Sequence, residues 1–86
     1  MHWMIDFDDK ARKTLLRVDK NDRQRIITFL DRLSQQSNPR QQGKALAGKY
    51  AGSWRYRVGD YRIICNIRDK QLTILVLQLG QRKNVY

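Results

Sequence analysis

Residues 53–65, SWRYRVGDYRIIC, decide how this sequence folds. The pair Gly59-Asp60 separates two stretches of alternating character, the pattern of a hairpin with a two-residue turn. Alternation puts Trp54, Tyr56 and Val58 on one side of the first strand and Arg55 and Arg57 on the other. With a two-residue turn, Val58 pairs with Tyr61 and Arg57 falls opposite Arg62, on one face because cross-strand partners share a side. Arg55 lies a diagonal step away. Like charges directly opposite each other are destabilising, so folding alone does not account for three guanidinium groups on one face. The chain contains no glutamate, and the only acids after residue 39 are Asp60 and Asp69. A bound phosphate relieves the repulsion, because the guanidinium fork matches its oxygens in bidentate fashion.

Working outward, HWMIDF (residues 2–7) alternates Trp3, Ile5 and Phe7 and predicts a short strand, with His2 incidental at its start. The aspartates that open residues 6–20 are good N-caps for a helix carrying Ala11, Leu15 and Val18. DKND at 19–22 reads as a turn and second cap. An amphipathic helix follows over 22–36, with Ile26, Ile27, Leu30 and Leu33 on one stripe. SNPR at 37–40 ends this helical hairpin. Residues 40–53 hold three of the five glycines and no sustained period, and are expected to form a loop pinned to the core by Leu46. Strands are expected at 54–58, 61–67 and 72–79, with RDKQ at 68–71 between the last two. The order β-α-α-β-β-β predicts a single α+β domain over 1–86. Its twisted, antiparallel-rich sheet carries the helical hairpin on one face and leaves the other free for work.

Charge narrows the function. Eighteen basic residues against eight acids give a net +10, and 41% of the chain is hydrophobic, which suits a folded globular domain. Residues 1–39 carry a net +2, from eight basic and six acidic residues, and residues 40–86 a net +8, from ten and two. A basic half of a small domain points to a polyanion, nucleic acid first. No apolar run reaches the roughly 18 residues of a membrane span and no signal-peptide pattern opens the chain. The expected home is the cytoplasm, with no membrane partner. Cys65, the lone cysteine, alternates with Ile63 and Ile67 and reads as a buried small residue. One histidine and one cysteine build no metal site, and no cofactor motif appears.

The candidates are therefore basic and aromatic. Arg82 follows Gly80 at the end of the last strand, where the chain can turn back toward the sheet, and Tyr86 ends the chain. Lys44, Lys49 and Lys83 are candidates for contact with a nucleic-acid backbone, with solvated side chains the competing reading for the loop lysines. Trp54 and Tyr56 read as core. Catalysis on such residues has to run on charge stabilisation, since arginine does not give up its proton. Phosphodiester cleavage by a neighbouring ribose 2′-OH suits that, because its pentacoordinate transition state gathers negative charge.

These segments resemble the RelE/ParE superfamily of toxins from toxin–antitoxin systems. KALAG (44–48), RVGDYRII (57–64) and LGQRKNVY (79–86) carry the likeness, which spans nearly the whole chain. The resemblance implies a microbial RNase-like fold and, in the RelE branch, ribosome-dependent cleavage of mRNA in the A site. Arg55 and Arg57 match two basic residues of the family's second strand, Arg62 the arginine on the scissile phosphate, Arg82 the one at the leaving group. Tyr86 matches a C-terminal tyrosine at the substrate nucleotide. Gln81 stands where other relatives carry a histidine. The implied partners are a cognate antitoxin, the 70S ribosome with its rRNA, and mRNA; no metal or cofactor is implied. A ParE-like toxin that binds DNA gyrase and a non-catalytic RNA-binding module are the alternatives.

Overall fold

The computed structural model describes residues 2–84, so the expectation for Tyr86 lies outside the described residues. The chain runs β1 (Met4–Phe7), α1 (Asp9–Arg17), α2 (Lys20–Ser34), β2 (Lys44–Ala45), β3 (Ser53–Val58), β4 (Tyr61–Arg68) and β5 (Thr73–Gln81). Single 3-10 turns occupy Pro39–Gln42, Gly48–Tyr50, Asp69–Gln71 and Arg82–Asn84. The strands form one sheet in the order β1-β5-β4-β3-β2. β1 runs parallel to β5, and the other neighbours are antiparallel. This is the α+β arrangement expected, with one strand more.

The helical layer is built on short-range logic. The carboxylate of Asp19 accepts a hydrogen bond from the Asn21 N–H, so α2 begins at Lys20, ahead of the expected residue 22. Asp8 occupies the N-cap position of α1 without a side-chain cap bond. Ala11, Leu15, Val18, Ile26, Leu30 and Leu33 face the sheet and pack on Tyr56, Ile63, Cys65, Ile67, Ile74, Val76 and Leu79. Ile27 leaves the expected stripe and is 43% exposed. Residues 26, 30 and 33 recur at the spacing of one buried helix face, and position 27 is turned about 100° from 26. Trp3 closes one end, donating its indole N–H to the Gln36 carbonyl at 3.1 Å.

Two departures come from the sheet. The expected loop at 40–53 contains β2, whose Lys44 and Ala45 pair with Arg55 and Trp54. Leu46 is half-buried and held through its N–H to the Ser53 carbonyl, not as a member of the core. Gly43 precedes β2 in close contact with Tyr56; a Cβ there would meet the ring at 3.0 Å. The second departure is a bulge. Ile64 pairs with Gln78 but Cys65 pairs with Val76, leaving Leu77 as the extra residue on β5. That shift lets Ile74, Val76 and Leu79 all join the helical core. It also turns Gln78 to the opposite, open face of the sheet, with Ile64.

Candidate nucleic-acid interface

Register and alternation build two rows on the open face. Lys44 pairs with Arg55, Arg55 with Ile64, and Ile64 with Gln78, a row across four strands. The next row toward the hairpin tip is Arg57, Arg62 and Gly80. Gly80 adds no side chain opposite Arg62, so the guanidinium groups have room beside them.

The hairpin register is the expected one: Arg57 lies directly opposite Arg62, and Val58 opposite Tyr61. Arg62 is only 6% exposed, an unusual setting for a charge, while Arg57 is exposed and Arg55 half-buried. Arg82 is tied to the hairpin turn by its N–H, which donates to the Asp60 carbonyl at 2.8 Å. Arg57, Arg62 and Arg82 thereby line one small cleft of about 90 Å³ with Gly59, Asp60 and Tyr61. Tyr61 remains a phenol there. Burial raises its pKa, and the carboxylates of Asp22, Asp19 and Asp60 push the same way.

Of the two acids after residue 39, Asp60 lines that cleft and Asp69 lies apart from it. Asp69 is engaged by Arg40, with Nη1 and Nη2 donating to its two carboxylate oxygens at 2.9 and 2.6 Å. That bond lowers the Asp69 pKa and raises that of Arg40. The Arg40 guanidinium also lies 5.9 Å from the centroid of the Trp54 ring. The remaining expectations divide. Lys44 belongs to an ordered strand end beside Arg55, not to a flexible loop. Lys49 sits in the Gly48–Tyr50 turn, its Nζ 5.3 Å from the Tyr50 ring centroid. Lys83 follows Arg82 in the last 3-10 turn and is exposed. Tyr56 is core, 1% exposed, and donates its O–H to the Pro39 carbonyl at 2.7 Å. Trp54 is half-buried against the same core. Cys65 is fully buried, and burial pushes its thiol up to about 12.

Three residues escaped the sequence reading. The Asp60 carbonyl anchors Arg82, and Tyr50 donates its O–H to Gln78 Oε1 at 2.7 Å. A backbone anchor leaves no mark in composition, and a lone aromatic between two glycines carries no periodicity. Among the described residues, no group of three or more His, Cys, Asp or Glu could hold a metal ion, and no helix is long and apolar enough to cross a membrane.

The family described as "ParE toxin of type II toxin-antitoxin system, parDE" matches residues 5–86. The chain belongs to that family. It is a toxin of a type II toxin–antitoxin system with a RelE-like fold. It is 28% identical over 87 residues to toxin RelG of Mycobacterium tuberculosis, a match covering 100% of this chain and 98% of that one. The toxin–antitoxin complex RelBE2 of the same organism superposes with a TM-score of 0.86 at 26% identity, covering 98% of this toxin and 95% of that chain. The archaeal RelE–RelB complex of Pyrococcus horikoshii gives 0.78 at 28%, covering 99% and 100%.

Proposed function

We propose that this toxin is a ribosome-dependent endoribonuclease that cleaves mRNA in the A site. The observation that carries the reading is the convergence of Arg57, Arg62 and Arg82 on one cleft, with Arg55 and Lys44 beside it. In the reaction, the ribose 2′-OH attacks the adjacent phosphorus. The bond to the 5′ oxygen breaks, and a 2′,3′-cyclic phosphate remains. Arg62, largely desolvated, holds a non-bridging oxygen as negative charge gathers, and a guanidinium out of water interacts more strongly with that charge. Arg57 shares the equatorial charge and Arg82 stabilises the leaving oxygen. Arginine does not take the 2′-OH proton; the base is Tyr86 as phenolate or a ribosomal group. Lys44, Lys49 and Lys83 contact the backbone of mRNA or rRNA.

The toxin is held inactive by a cognate antitoxin. Two relatives of similar fold were solved as toxin–antitoxin complexes, which supports that partner, and an acidic segment of the antitoxin is the natural complement of the basic face. A second reading is favoured by the family match, whose description is of ParE: a non-catalytic toxin that binds DNA gyrase. Primer extension on a defined mRNA, with and without programmed ribosomes, separates the two. Cleavage within the A-site codon only when ribosomes are present supports the nuclease. Intact mRNA in both, together with lost gyrase supercoiling activity, supports the second reading.

A further inference from the structure

The row Lys44–Arg55–Ile64–Gln78 ends under a feature the cleavage chemistry does not use. After β2 the chain makes the Gly48–Tyr50 turn and returns through Gly52 to β3. Gly48 and Gly52 both take positive φ, 66° and 89°, which lets the segment leave and rejoin the sheet edge sharply. Tyr50 crosses the open face from that edge, past β3 and β4, to reach Gln78 on β5. Ile64, between Arg55 and Gln78 in the row, is 0% exposed although it points away from the helical core. The open face is thus walled at one end by a half-buried aromatic ring with a lysine amine beside it.

The spacing matters. Arg55 is two residues from Arg57 along β3, about 6.7 Å, the scale of one nucleotide step in a single strand. A phosphate in the Arg57–Arg62–Arg82 cleft therefore puts a neighbouring nucleotide over the Arg55 row, toward Tyr50. Aromatic rings beside a basic groove are the usual platforms for unpaired bases. The pair also has a reading head. Donation from Tyr50 Oη to Gln78 Oε1 turns the amide so that its NH₂ is the group left to address a base edge.

We propose that Tyr50 and Gln78 form a nucleobase subsite, in which the Tyr50 ring stacks on the nucleotide flanking the scissile phosphate and the Gln78 amide donates to an acceptor on its edge. As a specificity element of the cleavage site it rests on the nuclease reading; as a base-binding element it is tested separately. The probe for binding is a short single-stranded RNA carrying 2-aminopurine, whose fluorescence falls on stacking. The wild type is expected to quench it, Tyr50→Phe to quench it as well, and Tyr50→Leu, matched for folding by circular dichroism, to lose the quenching with a Kd about 5- to 100-fold weaker. On programmed ribosomes with a panel of A-site codons, Gln78→Leu, which keeps the aromatic ring in the chain but removes the amide, is expected to flatten the base preference. Quenching unchanged in Tyr50→Leu overturns the subsite. So does an unaltered codon preference in Gln78→Leu, which covers the case of a misfolded leucine variant. Tyr50-dependent quenching with no ribosomal cleavage by the wild type overturns the nuclease reading and leaves the base subsite standing.

Discussion

At position 62 an arginine only 6% exposed lies opposite a second arginine across the hairpin, and a third is brought to them through the Asp60 carbonyl. Repulsion between opposed like charges is worth a few tenths to about 1 kcal/mol. Arg57→Ala is therefore expected to hold or raise the midpoint of chemical denaturation while it lowers cleavage. Arg62→Lys is expected to restore little of what Arg62→Ala loses, roughly 100-fold or more in single-turnover rate. Lysine keeps the charge but lacks the planar fork. The Arg57–Arg62 pairing was legible because a two-residue turn permits one register. Lys44 beside Arg55 was not, because a two-residue strand has no period to read.

Among the elements, β2 is led into the sheet past the Tyr56 ring, which makes two contacts with the segment before it. The Tyr56 hydroxyl holds the Pro39 carbonyl, and Gly43 fits against the same ring with no room for a methyl group. Tyr56→Phe is expected to cost about 1 kcal/mol, the net worth of one lost buried hydrogen bond, measured by urea denaturation. Gly43→Ala is expected to weaken RNA binding as Lys44 shifts away from Arg55, read from the Kd for a short single strand. The buried face of the same sheet sets an alkaline limit. Burial raises the pKa of Cys65 from 9.0 to about 12 and raises that of Tyr56 too. The folded chain therefore holds these protons more tightly than the unfolded one. The associated stability is complete below pH 9, the ordinary thiol value, and is lost as pH rises toward the folded value. Thermal melts across that range are expected to fall, less steeply in Cys65→Ala. The helices, the hairpin and β1 were readable from period and caps. The β5 bulge was not, because TILVLQL is apolar on nearly every residue and offers no alternation to break. Leu72, expected to open the last strand, carries no turn signal either, yet it adopts φ 48° and β5 begins one residue later.

For the whole molecule, the sheet separates two tasks: one face closes the core with the helices, and the other gathers the charge. Of the net +10, +8 lies after residue 39, a distribution that favours encounter with polyanions. Ribosome affinity is expected to fall linearly in log Kd against log salt, with a slope of about 0.7 per single-strand phosphate contacted. Affinity independent of salt contradicts a phosphate-led contact. The most direct test of the central claim is single-turnover cleavage of A-site mRNA on programmed ribosomes by the wild type and by Arg57→Ala, Arg62→Ala and Arg82→Ala, with ribosome occupancy held at saturation. A codon-confined cut by the wild type and a steep loss of rate in each variant at full occupancy are expected. Wild-type rates in the variants, or no cut by a folded and ribosome-bound wild type, contradict the claim.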